Sequence, residues 1–288
     1  MTKKATNPTK SLKIPYFIIL SCKISAFIST KWVTTYAAKL FTTPIKHKVP
    51  KREFEMDQKS IQNTINIPQI NKNIVTYSYG ESSRKILLVH GWSGRGTQLF
   101  KIADELLKIG YSTISFDAPA HGKSEGKTTI MSEFISSIIE IEKQFGPFEI
   151  AIGHSLGGMS VLNAIKDGLK VNKAIIIGSG DIIQDILDDF ILKLQLKKEI
   201  AESLRDLFED KYHVKMNDFS AYKAAQKIDI PVLVIHDNDD PEVPVKAGIH
   251  IYNQLKNGTL FLTDSLGHRK ILGSQNVIKK ILDFIQTI

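Results

Sequence analysis

Ser155 stands in the run Gly153-His154-Ser155-Leu156-Gly157, followed by Gly158, between an apolar stretch and a stretch of helical pattern. A serine hydroxyl is a weak nucleophile until a base takes its proton and an acid orients that base. Glycines on either side of the serine suit a sharp strand-to-helix turn, in which flanking side chains would clash with strained backbone. Such a turn lifts the serine to the top edge of a sheet and points the next amide at the reacting carbonyl, at a helix N-terminus. The five-residue pattern alone is common; the strand–helix context is what gives it weight.

Eight histidines could serve as the base. His154 adjoins Ser155, but on such a turn its side chain projects elsewhere. His90 and His236 end apolar runs, and His121 lies in a turn. His268 follows the final apolar run, in Asp264-Ser265-Leu266-Gly267-His268, and so falls last in the order serine, acid, histidine that accompanies this turn. The acid is expected in the loop His236-Asp237-Asn238-Asp239-Asp240-Pro241-Glu242-Val243-Pro244. Of its three aspartates Asp240 is preferred, because it lies four residues past the strand end and is held by Pro241 and Pro244 after it. Asp237 and Asp239 are read as loop caps or solvent-facing groups, and Asp181, one strand earlier, stays open as an alternative acid. The run ending His90-Gly91-Trp92 offers a second oxyanion donor, so the backbone amides of Trp92 and Leu156 are assigned to that hole. The Trp92 indole is expected to line an acyl pocket.

These residues need a frame. Short apolar runs at 85–90, 111–116, 148–152, 173–177, 230–236 and 259–263 read as buried strands, and 61–67 with 73–79 as a half-exposed hairpin around Pro68. Helical patterns fall near 97–109, 130–145, 155–167, 181–210, 222–227, 247–255 and 275–288. The alternation predicts an α/β fold with a mainly parallel sheet covered on both faces. Only helical pattern lies between Ile177 and Ile230, and an excursion of that size sits above the carboxyl ends of the strands, where sites form. No internal repeat or low-complexity tract occurs.

The 288 residues fit one large α/β domain or two small ones and can bury a core without disulfides. Cys22 is the sole cysteine, which excludes an intrachain disulfide and any CxxC metal site. The net charge of +8 is unevenly placed. Residues 1–52 carry 11 of the 38 basic residues and none of the 30 acidic ones, which leaves 27 basic against 30 acidic in the remainder. A diffuse nucleic-acid surface on the main domain is therefore not expected.

Residues 14–41 are rich in Ile, Phe, Leu, Tyr, Trp and Ala, with Lys23, Lys31 and Lys39 at intervals of eight. These lysines and Lys13 keep any uncharged run below the roughly 18–20 residues of a spanning helix. A cleaved secretion signal is disfavoured, because Lys23 interrupts the apolar core and no A-x-A site follows. The segment reads either as a helix packed on the main domain, or as a basic amphipathic helix over residues 12–41 that lies on an anionic membrane or guards an apolar entrance. Pro44 and Pro50 mark a linker. A cytoplasmic location, peripheral to a membrane, is expected rather than secretion.

Four segments together resemble the α/β-hydrolase fold superfamily, in its order and spacing over roughly residues 61–288. They are His90-Gly91-Trp92-Ser93-Gly94, Asp117-Ala118-Pro119-Ala120-His121-Gly122-Lys123-Ser124, Gly153-His154-Ser155-Leu156-Gly157-Gly158, and Asp240-Pro241-Glu242-Val243-Pro244 with Gly267-His268. The resemblance implies an eight-stranded, mostly parallel sheet with helices on both faces and a small helical cap after the sixth strand. It gives a basic N-terminal segment and linker (1–52), a first core part (53–180), the cap (181–226) and a last core part (227–288). It also implies a serine esterase that splits a carboxylic ester, thioester or related acyl bond by a Ser155–His268–Asp240 triad, with no cofactor and no metal. Asp117 and His121 are structural in such proteins. A small acyl ester is the expected substrate, and no nucleic-acid partner is expected. The competing readings are a non-catalytic hydrolase-like ligand-binding protein at a membrane, and an acyltransferase or peptidase on the same fold.

Overall fold

The computed structural model describes residues 14–287. Eight strands form one sheet: β1 (Ile61–Ile67), β2 (Lys72–Tyr79), β3 (Lys85–Val89), β4 (Ser112–Asp117), β5 (Ile150–His154), β6 (Lys173–Ile177), β7 (Val232–Asp237) and β8 (Gly258–Thr263). Their spatial order is β1-β2-β4-β3-β5-β6-β7-β8. β1 and β2 are a hairpin, β2 runs antiparallel to β4, and every pairing beyond β4 is parallel. The strands from β3 to β7 read as near-continuous apolar runs because both of their faces are covered.

The helices are α1 (Tyr16–Ile28), α2 (Thr30–Thr42), α3 (Phe54–Lys59), α4 (Phe100–Lys108), α5 (Met131–Phe145), α6 (Leu156–Lys166), α7 (Ile183–Lys193), α8 (Glu199–Tyr212), α9 (Ala221–Ala225), α10 (Val245–Gln254), α11 (Gly267–Lys270) and α12 (Gln275–Gln286). Alternate side chains of each strand feed two separate cores. Ile86, Leu88, Ile152, Ile175 and Leu233 pack with α4 and α12 on one face. Leu87, Val89, Ala151, Ile176 and Val234 pack with α5, α6 and α10 on the other. β3 pairs with β4 on one side and β5 on the other. The sheet order therefore reverses there, and a crevice opens outside the carboxyl ends of β3 and β5.

Two expected helices are each broken in two. The 181–210 stretch divides into α7 and α8 at Gln195, whose φ of 56° lies in the left-handed region. The N-terminal segment divides at the extended Ser29 into a hairpin, tied by Ser21 Oγ and Tyr36 Oη at 3.1 Å, with Cys22, Val33 and Ala37 buried between and beneath the two helices. α2 packs on α8, and the Phe41 ring lies 5.1 Å from that of Phe190 and 5.8 Å from that of Phe208. α9 instead lies against α6 and α10. No described helix is long and apolar enough to cross a membrane.

The proline-marked stretch after α2 is held down along its length. The Ile45 amide donates to Ser93 Oγ at 3.0 Å, Lys46 Nζ to the Ser124 carbonyl at 2.8 Å, and the Thr129 amide to the Thr42 carbonyl at 2.9 Å. It ends at the first acidic residue, Glu53, which is buried and accepts from Arg95 Nη1 at 2.8 Å and Thr97 Oγ1 at 2.7 Å. This ion pair clamps the loop after β3. Removing one partner of a buried pair leaves the other charge uncompensated. Glu53→Ala should therefore destabilise the protein by about 3–5 kcal/mol in urea unfolding; a loss below about 1 kcal/mol, the range of an exposed pair, would show the clamp to be solvated.

Candidate active site

Ser155 occupies the turn between β5 and α6 with φ 56° and ψ −121°, a conformation that costs an L-residue of order 1–3 kcal/mol. Its amide donates to the Ile177 carbonyl at 2.9 Å. Two close approaches hold the turn. A Cβ on Gly153 would lie 2.4 Å from the Gly157 carbonyl oxygen, and one on Gly157 would lie 2.4 Å from the Val89 carbonyl oxygen. The glycines of the motif are thus required by backbone contact with the turn itself and with β3.

His268 begins the loop-end helix α11 and is buried. Its Nδ1–H donates to Asp240 Oδ2 at 2.7 Å, which leaves Nε2 as the ring nitrogen without an acidic partner. The ring packs against Gly178, the residue after the Ile177 carbonyl that receives the Ser155 amide. Among the described residues no hydrogen bond joins Ser155 Oγ to the ring, a looseness common in ligand-free sites. The other oxygen of Asp240 accepts the amides of Glu242 and Val243 at 2.8 and 2.9 Å. Burial pushes this carboxyl up, but the bond and charge of His268 and the two amides outweigh it, and the net result lies below the usual carboxylate range.

The other candidate acids are engaged elsewhere. Asp237 accepts from Thr263 Oγ1 and from the amides of Asp239, Leu266 and Gly267, so it ties the ends of β7 and β8 together. Asp239 receives the Ser265 amide at 2.9 Å. Asp181 pairs with His250, whose Nδ1–H donates to Oδ2 at 2.5 Å, and not with His268. That pair was not legible in the sequence, because His250 lies mid-helix in α10 with no motif around it.

The remaining buried histidines hold loops. The Ala118 amide donates to His90 Nε2 at 3.0 Å, while His90 Nδ1–H donates to the Gly91 carbonyl at 2.7 Å. The Ser93 amide donates to His121 Nε2 at 3.0 Å, while His121 Nδ1–H donates to the Pro119 carbonyl at 3.1 Å. Each ring accepts at one nitrogen and donates at the other, which only the neutral form can do. His154 Nε2–H donates to the His268 carbonyl at 2.9 Å, so it braces the backbone of the neighbouring histidine. Asp117 accepts the amides of Gly96 and Lys123 and the Tyr77 hydroxyl, joining the same two loops. The amides of Trp92 and Leu156 find no acceptor among the described residues.

Ser155, Leu156 and Trp92 line a cavity of about 1100 Å³. Its opposite wall comes from Ile186 and Phe190 of α7, Phe208 of α8, and Leu40 and Phe41 of α2. The wall is chiefly apolar, with Asp181, His250 and Glu242 as a polar margin. Leu40 and Phe41 were not assigned from sequence, although their position at the apolar end of a helix just before Pro44 is a usable signal. Among the described residues no group of three or more His, Cys, Asp or Glu side chains could hold a metal ion.

Residues 86–268, more than half of the chain, match the model of the alpha/beta hydrolase family. The chain belongs to that family. No match was found among curated proteins. Solved structures of similar fold include an esterase from Exiguobacterium antarcticum, with 17% identity and a TM-score of 0.64 over 79% of this chain and 100% of that one. An esterase from Pyrococcus furiosus gives 16% identity and a TM-score of 0.65 over 85% and 96%. A bromoperoxidase from Bacillus anthracis gives 19% and 0.62 over 79% and 100%. At these identities the likeness is one of fold. The eight-stranded, mostly parallel sheet with helices on both faces is the fold expected of this family.

The buried histidines set a pH dependence for this family member. Burial lowers His90 to about 4, and His121 and His154 to about 3, from an ordinary 6.5. Below about pH 6.5 the unfolded chain takes up protons that the folded chain refuses, so stability falls as the pH drops toward 4. Asp117 and Asp181, raised by burial, act in the opposite sense. Through these rings unfolding near pH 5 should take up protons, measurable as a fall of stability with falling pH; a flat profile between pH 7 and 5, unchanged when His121 is replaced by Gln, would mean that these rings are solvated. Relief of the turn strain offers a second check. Ser155→Gly should match or exceed Ser155→Ala in melting temperature, whereas glycine in ordinary structured backbone loses about 0.5–1 kcal/mol to alanine.

Proposed function

We propose that the chain is a serine hydrolase that cleaves carboxylic esters with an apolar acyl group. The observation that carries this reading is the Asp240–His268 bond at 2.7 Å, made by the late histidine at the nitrogen that leaves Nε2 for the serine. The bond fixes the tautomer: Asp240 accepts the hydrogen bond of Nδ1–H and keeps that proton on Nδ1, so Nε2 carries a lone pair that can accept the Ser155 proton. Asp240, held below the usual carboxylate range, is charged at neutral pH and stabilises the imidazolium as it forms.

Ser155 Oγ attacks the ester carbonyl while His268 Nε2 takes its proton. The amides of Trp92 and Leu156, with no acceptor of their own, receive the oxyanion. His268 returns the proton to the departing alcohol, and water attacks the acyl-serine by the same route. The helical excursion at 181–226 serves as the cap. It closes the acyl pocket together with Leu40 and Phe41, and a cavity of about 1100 Å³ favours medium or long acyl chains over acetate. The esterase names of the Exiguobacterium and Pyrococcus structures agree with this reaction class.

A fluorophosphonate probe should label the purified protein at Ser155, and Ser155→Ala should abolish both labelling and hydrolysis of p-nitrophenyl esters while unfolding like the wild type. Absence of labelling in folded protein rejects the reading and leaves a ligand-binding shell. Asp240→Asn should lower kcat by roughly 10³–10⁴-fold, because the wrong tautomer is favoured, whereas Asp181→Asn should not. Across a p-nitrophenyl ester series kcat/KM should rise from acetate to octanoate; a maximum at acetate would contradict the cavity argument.

A further inference from the structure

The hairpin of α1 and α2 is apolar on two sides, and only one of them is covered. Ile19, Cys22, Val33 and Ala37 are buried on the inner side. On the outer side Phe17, Leu20, Ile24 and Phe27 recur at spacings of three and four, which forms one stripe along α1. Trp32, in the first turn of α2, is a further exposed aromatic. Phe17 is 71% exposed, Phe27 94% and Trp32 64%, so nothing among the described residues covers them. Contiguous exposed aromatic and aliphatic surface of this kind marks an interaction site in a protein that folds around a separate core.

Charge identifies the occupant. Lys23, Lys31 and Lys39 lie on the same two helices, and no carboxylate among the described residues pairs with them. They belong to the 52-residue segment that holds 11 basic and no acidic residues, whereas the rest of the chain is slightly acidic. A second copy docked through this face would set one such cluster against another, which repulsion opposes. An anionic lipid surface satisfies both features: aromatic rings settle at the headgroup boundary, and lysines reach the phosphates with their stems along the apolar layer.

The hairpin also adjoins the cavity. Lys23 Nζ donates to Gln195 Oε1 at 2.7 Å, which holds α1 beside the turn after α7. Leu192, on the last turn of α7, is 71% exposed and also lines the cavity, and Leu40 and Phe41 of α2 line it from the hairpin side. We propose that the outer face of the α1–α2 hairpin docks on an anionic lipid bilayer and sets the cavity mouth at the lipid boundary, so that the ester is taken from the membrane. The substrate half of this inference rests on the serine-hydrolase reading; the docking half does not.

The test uses the full chain and a triple variant, Phe17→Ser, Phe27→Ser and Trp32→Ser. These side chains are exposed, so the variant should keep the wild-type unfolding curve, fluorophosphonate labelling and hydrolysis of a dissolved short-chain ester. Wild type should sediment with phosphatidylcholine vesicles containing about one-third phosphatidylglycerol, and weakly with phosphatidylcholine alone. The triple variant should lose at least about tenfold in vesicle partitioning and in hydrolysis of a long-chain ester carried in those vesicles. About 0.5 M salt should weaken wild-type binding. Wild type that ignores both vesicle types, or a triple variant that partitions equally well, overturns the docking face. A wild-type dimer that the triple variant dissociates, without vesicle binding, assigns the face to a second copy instead. Vesicle binding without labelling of Ser155 sustains the docking face and removes only the hydrolase reading.

Discussion

Asp240 and His268 come from different loops, after β7 and around α11, and meet at 2.7 Å only because the carboxyl ends of β7 and β8 are tied together beneath them. Asp237 makes that tie. From the last position of β7 its carboxylate collects the Thr263 hydroxyl and three loop amides, two of them immediately before His268. A buried carboxylate with every lone pair engaged is a rigid fixture. It therefore sets the reach of His268 before Asp240 or Ser155 enters the geometry. On the opposite side of the crevice, Asp117 does comparable work between the loops after β3 and β4.

Histidine is used here mainly as a neutral connector. A ring with one donor and one acceptor can join two backbone segments that neither a carboxylate nor an amide side chain would fit at this spacing. His90 and His121 each bridge neighbouring loops, His154 braces the backbone of His268, and burial keeps all three uncharged. Next to His268 the charge is thereby left to the Asp240 carboxylate and one exchangeable proton. A further imidazolium among these rings would draw Asp240 away from His268 and oppose protonation of the latter.

Much of this frame was legible in the residues. Apolar runs such as Lys85–Val89 and Lys173–Ile177 are buried on both faces, so their composition admits little besides an inner parallel strand. The Ser155 turn was legible because backbone contacts restrict its neighbours to glycine. Among Asp237, Asp239 and Asp240 the only local sign in the sequence is the pair of prolines after Asp240; the hydrogen bonds place Asp237 at the β7–β8 junction and Asp240 beyond it, beside His268. Less was legible where partners are distant in sequence. Glu53 with Arg95, and Asp181 with His250, have no local signature, since each is an agreement between elements that only the folded chain brings together. The break at Gln195 was hidden too, because a non-glycine residue in left-handed backbone leaves the helical pattern on either side unchanged.

The strap from Thr42 to Glu53 is a mechanical link. It bonds to Ser93, Ser124, Thr129 and Arg95, which belong to the loops that carry Trp92 and His121. The hairpin at one end of the strap supplies a cavity wall, and the Glu53 clamp at the other end supports the loop beside Ser155. A force on α1 or α2 is consequently transmitted to the Trp92 amide through a short, hydrogen-bonded tether. Removing this segment would widen the cavity and slacken the loop in one stroke, so a truncated chain is a different binding site and not the same site without an appendage.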